Sequence, residues 1–293
     1  RPLSGLRARV SRQSFATAAG FGAILLWSAL PLLTAASSSM PPFQMTAVTF
    51  AIGGFCGLGT LALRGELAQL RQGWPAWCVG AGGLFLYHVL YFAALRAAPP
   101  AEASLVNHLW PLLIVLFSAL LPGERLAMHH VIGAFVSFGG LVALFSGKEL
   151  SLSGIQSGHV LALGGAFTWA AYSLLSRRLT HVPSGAVAGF CLATSLLAVG
   201  MHAASETTLW PQDAQEWSAI VALGLGPVGA AFFLWDHGVK HGDIRLIGTL
   251  AYAAPVLATI WLVLAGFAQP SFTLGLACVM IVGGAFIASR AKG

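Results

Sequence analysis

QSFATAAGFGAILLWSALPLLTAASSSMPPFQMTAVTFAIGGFCGLGTLAL, residues 13–63, contains no Asp, Glu, Lys or Arg and is interrupted by one strong turn signal, Ser38-Ser39-Met40-Pro41-Pro42. An α-helix rises about 1.5 Å per residue, so roughly 20 apolar residues cross the hydrocarbon of a bilayer. This stretch is long enough to cross twice. Residues 246–289 repeat the arrangement, divided at Gln269-Pro270-Ser271. Six further charge-free stretches of at least nineteen residues lie between the two. Together they predict an all-α polytopic membrane protein with ten transmembrane helices.

Composition points the same way. With 57% hydrophobic and 8% charged residues and a mean hydropathy of +0.81, the chain has too few ionic side chains to cover a water-soluble globule of 293 residues. Ten helices consume about two thirds of that length and leave no room for a second, soluble domain. The run Phe15–Ala36 is longer than the apolar core of a cleaved leader and reads as helix one. Cys56, Cys78, Cys191 and Cys278 all fall inside predicted spans, where they read as small packing residues, with no disulfide or metal site implied.

The net charge of +6 does not imply nucleic acid, because the basic residues are scattered between apolar runs and form no face. They report orientation instead. With a cytoplasmic N-terminus, Arg1, Arg7, Arg9, Arg12, Arg64, Arg71, Arg125, Arg177, Arg178, Lys240, Arg245, Arg290 and Lys292 are inside, and only Arg96 and Lys148 are outside. This positive-inside distribution predicts an inner (plasma) membrane protein, multi-pass, with both termini cytoplasmic.

The chain also repeats itself. A shift of roughly 142 to 144 positions places Trp27 on Trp169, Gly80 and Gly82 on Gly224 and Gly226, Pro111 on Pro255, and Gly139-Gly140 on Gly283-Gly284. Five spans per repeat is an odd number, so the second half, residues 150–290, must enter the membrane from the side opposite to the first, residues 13–147. The expected fold is two inverted-topology five-helix repeats, an architecture of secondary transporters whose solute site lies near the midplane.

The segment from Pro111 through Leu112-Leu113-Ile114-Val115 to Gly123-Glu124-Arg125, followed by a Gly-bearing fifth helix, resembles the corresponding signature of EamA-type carriers in the drug/metabolite transporter superfamily. The likeness extends over the whole chain as two such units. Trp27-Ser28-Ala29-Leu30-Pro31, Tyr87-His88 and Asn107-His108-Leu109-Trp110-Pro111 are most similar to the aromatic amino acid exporters of that superfamily. The resemblance implies a ten-helix inner-membrane carrier that exports amino acids. The second unit departs from the pattern, with Ala268 and Gln269 where a Glu is expected, so no role of Glu124 is carried to it.

Polar and aromatic residues deep in a span are costly unless they serve a site or bind a neighbouring helix. Tyr87 and Tyr91 lie one turn apart on helix three, with His88 beside them; Tyr172 and Tyr252 are the other two tyrosines. With Trp27, Asn107, His108, Trp110 and Trp169 they form the candidate substrate-binding set, suited to stacking on an apolar side chain. Each tyrosine reads equally well as interhelical glue. Pro31, Pro111, Pro227 and Pro255 are the candidate hinges of an alternating-access cycle. Proline at 31, 111 and 255 frees the carbonyls of Trp27, Asn107 and Ala251 to receive an ammonium group. Trp74, Trp77, Trp210 and Trp217 flank spans and read as interface anchors.

No span carries Lys or Arg near its centre, as a phosphorylated solute would require. No carboxylate is central either, Glu102 and Asp236 being placed near span ends. The expected partners are therefore the lipid bilayer and a neutral or zwitterionic small-molecule solute, an amino acid. Protons are the candidate coupling ion, through His88 or His108. No cofactor is implied and, with no recognisable catalytic dyad, no enzyme. The alternatives are export of other small metabolites or drugs, or a receptor or channel without carrier activity.

Overall fold

The structure, a computed structural model, describes residues 2–37, 40–98, 103, 106–123, 125–146, 156–266 and 270–289. Expectations that rest on Ser38, Ser39, Glu102, Glu124, Lys148, Ala268 and Gln269 lie outside the described residues.

All regular structure among the described residues is helical. The long helix α1, Pro2–Ser28, stops at Ala29, and α2, Leu30–Ala36, restarts with Pro31 in its first turn, where a missing N–H costs nothing. Helix α3, Pro42–Leu63, ends in a turn at Gly65, whose φ of +68° suits a residue without Cβ. Next come α4, Trp74–Trp77, a π-helical turn at Cys78–Gly82, and α5, Gly83–Ala97, in continuous succession. The chain is again helical at 106–107, turns at His108-Leu109, and continues as α6, Trp110–Phe117, with Pro111 in its first turn. Helix α7 spans Met128–Ser146.

The second half follows the same succession. Helices α8, Ser157–Arg178, and α9, Val187–Ser205, precede α10, Ala214–Leu225, a π-helical turn Gly226–Ala230 that contains Pro227, and α11, Ala231–His241. Helix α12, Ile244–Leu250, turns at Ala251-Tyr252 into α13, Ala253–Leu264, and α14, Phe272–Ser289, closes the described chain. The breaks thus fall at or just before all four candidate hinge prolines.

Among the described residues, five segments are long and apolar enough to cross a membrane: Arg12–Thr34, Pro42–Leu63, Trp74–Leu95, Ser184–Ser205 and Ala214–His241. Trp110–Leu120, Met128–Ala143, Ile244–Ala258 and Phe272–Ala288 are shorter apolar helices. Large apolar side chains face outward, among them Phe55, Leu196, Val279 and Phe286.

Glycine sets the helix packing. A Cβ on Gly133 would lie 2.5 Å from the Gly284 carbonyl oxygen, and one on Gly140 would lie 3.1 Å from that of Ala277, so α7 and α14 run antiparallel with their backbones nearly touching. Helices α3 and α9 are antiparallel as well, since Gly54 abuts Leu192, Gly57 abuts Ala188, and Ser195 donates to the Ala47 carbonyl. Helix α5 packs along α8, and α1 along α11.

At one end of α3 the carboxylate of Glu206 accepts hydrogen bonds from the backbone N–H groups of Phe43 and Gln44 at 3.0 and 3.1 Å and from His202 at 2.9 Å. It caps a helix N-terminus from another helix, where a negative charge is favoured. Glu206→Ala is expected to destabilise the protein by about 1–2 kcal/mol, read as a fall of a few degrees in melting temperature in detergent. An unchanged melting curve would show that water caps α3 equally well.

Candidate functional site

Where α1, α5, α6, α8 and α11 converge, their aromatic side chains meet in one box. Trp169 of α8 is at its centre, with ring centroids 5.5 Å from Trp27, 5.1 Å from Tyr87, 6.2 Å from Trp110 and 5.1 Å from Tyr172. Phe232 and Trp235 of α11 complete the contact at 5.9 and 6.0 Å. Edge-to-face and tilted geometries dominate, as the ring quadrupoles prefer. Tyr87 and Tyr91 stack at 5.9 Å, as expected of residues one helical turn apart. His88 stands beside them, 5.1 Å from Phe50.

Hydrogen bonds orient part of this box. The Trp27 indole N–H donates to the Pro227 carbonyl at 2.9 Å, joining α1 to the π-helical turn. Asn107 donates to the Tyr87 hydroxyl at 3.1 Å, and the Trp235 indole donates to Ser173 at 3.1 Å. His88 Nδ1 lies 2.7 Å from the Leu84 carbonyl, which requires the proton on Nδ1 and leaves Nε2 as the basic position.

Other polar atoms have no partner. Asn107 Oδ1, Trp169 Nε1, the Tyr172 hydroxyl and the Tyr252 hydroxyl are buried without a hydrogen bond. Ser176 and the Leu112 backbone lie near the Tyr172 and Tyr252 hydroxyls respectively, but neither pair reaches hydrogen-bonding geometry. Buried polar groups are nearly always satisfied, so three such atoms among the rings of one box point to a polar visitor. The group offers a donor, an acceptor and a hydroxyl within apolar walls.

The structure brings together Trp27, Tyr87, His88, Tyr91, Asn107, Trp110, Trp169 and Tyr172. Tyr252 stands apart. It is fully buried in a second core formed by α6, α7, α13 and α14, against Phe138 at 6.1 Å. Half-buried His108 occupies the turn before α6. The Ala251 carbonyl, expected to be free, accepts from the Ala254 N–H at 3.1 Å, because the turn at Ala251-Tyr252 tightens the backbone. Trp77 is packed edge-on against Phe190 at 5.2 Å instead of serving only as an interface anchor.

Sequence reasoning missed Trp235, Phe232 and Phe50. A signal existed, since a shift of 144 places Tyr91 on Trp235 and His88 on Phe232. Asp236 and Lys240 do lie near the end of the apolar segment Ala214–His241, where they form a buried ion pair at 2.8 Å inside α11 that was not expected. Spacing of four along a helix lets each neutralise the other, which is why neither remains at the surface.

A cavity of about 690 Å³ opens elsewhere, between α3, α11 and residues 183–185, with Gly57, Phe233 and His237 among its walls. None of the expected site residues lines it. Trp110, Trp169, Tyr172 and Trp235 of the box are buried, whereas Trp27, Tyr87, His88 and Tyr91 are half-buried.

Comparison with known proteins adds four findings. The model of the EamA-like transporter family matches residues 14–146 and 156–290. The chain is 53% identical over 281 residues to the aromatic amino acid exporter YddG of Ancylobacter novellus, covering 94% of this chain and 98% of that protein. It is 25% identical to the protein of the same name from Salmonella typhimurium, over 93% of this chain and 96% of the other. A solved crystal structure of a protein 53% identical superposes with a TM-score of 0.91, covering 94% of this chain and 97% of that one.

Proposed function

Because the chain belongs to the EamA-like transporter family, and so is a multi-pass membrane transporter of small molecules and no enzyme, we propose that it exports aromatic and other apolar amino acids across the inner membrane. Both termini are cytoplasmic in this reading, and ten helices form two five-helix units of opposite insertion. The repeat-related pairs α3 with α9 and α7 with α14 are antiparallel, which supports that arrangement. So does the contact between Trp27 and Trp169, residues equivalent under the repeat shift.

The observation that carries the reading is the uncharged aromatic box with unpartnered polar atoms at its wall. Its rings suit an apolar side chain by stacking and burial, and its polar atoms suit an amino acid's backbone groups. Alternating access follows from rocking of the two units about the breaks at Pro31, Pro111, Pro227 and Pro255. Protons are the coupling ion to test first, since the basic Nε2 of His88 belongs to the box wall.

Purified protein in proteoliposomes, loaded with unlabelled phenylalanine, is expected to accumulate labelled phenylalanine by counterflow, faster with an imposed pH gradient. A receptor moves none and a channel shows no trans-stimulation, so absence of exchange rejects the exporter. Tyr87→Ala is expected to lower transport efficiency roughly tenfold, about 1.4 kcal/mol. Tyr252→Ala is expected to act mainly through stability, because its ring lies in the other core. Unchanged transport in Tyr87→Ala would reject the site.

A further inference from the structure

Between the aromatic box and the end of α11 that the proposed orientation turns to the cytoplasm lies a buried polar layer. Tyr172, Ser173 and Ser176 of α8 face Asp236 and Lys240 of α11, all of them at most 5% exposed. The Lys240 ammonium donates to Asp236 at 2.8 Å and to the Val182 carbonyl at 2.9 Å. Arg177 ties the end of the same helix to α8 by donating to the carbonyls of Val239, Lys240 and Gly242 at 2.9, 3.1 and 2.9 Å. Trp235 of the box is the residue before Asp236, and the unpartnered Tyr172 hydroxyl is within electrostatic reach of that carboxylate.

A buried ion pair is weak grounds for stability, because desolvating two charges consumes most of their attraction. It is well suited to partner exchange. We infer that the Asp236–Lys240 pair receives the charged end of the amino acid during loading from the cytoplasm, Asp236 taking the ammonium and Lys240 the carboxylate once Val182 withdraws. The inference rests on the exporter reading and adds a charged dock to a box that has none. One internal ion pair is replaced by two to the zwitterion, so every charge remains compensated. A solute with a single charge leaves one protein charge buried and unpaired, which excludes it. The aromatic side chain would then lie one turn toward the N-terminal end of α11, where Phe232 of the box shares a face with Asp236.

The test is competition in counterflow. In the wild-type protein, labelled phenylalanine exchange is expected to be inhibited by phenylalanine at least tenfold more strongly than by 3-phenylpropionate or phenethylamine. In Asp236→Asn the half-saturating phenylalanine concentration is expected to rise at least tenfold, while inhibition by 3-phenylpropionate stays within twofold or strengthens. Lys240→Gln is expected to give the mirror result with phenethylamine. Should either variant fail to fold, Asp236→Lys combined with Lys240→Asp restores an ion pair, and is expected to recover monodisperse protein without phenylalanine exchange. Recovery of both, or single variants whose affinities for all three solutes are unchanged or fall equally, overturns the inference and leaves the pair a structural latch. Absence of exchange in the wild-type protein rejects the exporter reading itself and the inference with it, whereas wild-type exchange with unaltered selectivity in the variants rejects the inference alone.

Discussion

Trp169→Ala is expected to lower phenylalanine counterflow at least 100-fold, about 2.7 kcal/mol in transport efficiency. It is also expected to lower stability by about 3–5 kcal/mol, the usual cost of truncating a buried tryptophan. The effect should be this large because one indole touches Trp27, Tyr87, Trp110, Tyr172, Phe232 and Trp235. Removing it leaves a void at the centre of the box and deletes the unpartnered Nε1–H donor. Trp169→Phe separates the two roles, since it keeps an aromatic ring and removes only the donor with part of the volume. If Nε1 binds the solute, the phenylalanine variant folds well and still transports about tenfold less efficiently. Full transport by monodisperse Trp169→Phe would show that the indole is filler.

The second large effect concerns assembly. Gly284→Val is expected to abolish recovery of folded protein, because its Cβ would lie 2.5 Å from the Gly133 carbonyl oxygen and 2.8 Å from the Ser137 amide nitrogen. Those are backbone atoms of α7, which cannot rotate away as a side chain can. Overpacking typically costs 1–3 kcal/mol, and about 3 kcal/mol or more is expected where rigid backbone opposes the new group. The neighbouring Gly283 provides the control. Nothing lies within 4 Å of a Cβ there, so Gly283→Val should change stability by no more than about 0.5 kcal/mol. Equal yields of the two variants in size-exclusion chromatography would refute the close α7–α14 crossing.

Much of the fold was legible in the sequence because its signals are local. Charge-free runs, the turn at Pro41-Pro42, and prolines at 31, 111, 227 and 255 state where helices begin, end and break, since hydropathy and a missing N–H act on the residue itself. The pairing of Trp27 with Trp169 was visible as a repeat, and the two rings do meet. The site was less legible. Of the ten expected binding residues, eight converge, Tyr252 lies in another core, His108 occupies the turn before α6, and Trp235, Phe232 and Phe50 came unannounced.

What the sequence alone determined is the helical character of this chain, the position of its breaks and the family it belongs to. Only the tertiary structure decided which side of each helix faces the box and which faces lipid. In water, an apolar stripe reveals the buried face of a helix. In a bilayer the surroundings are as apolar as the core, so that periodicity vanishes and small residues set the packing instead. For the same reason the sequence placed Asp236 near a span end and Lys240 on the cytoplasmic side without revealing that they pair. Their burial became evident only when α8 and α11 were seen to close over them.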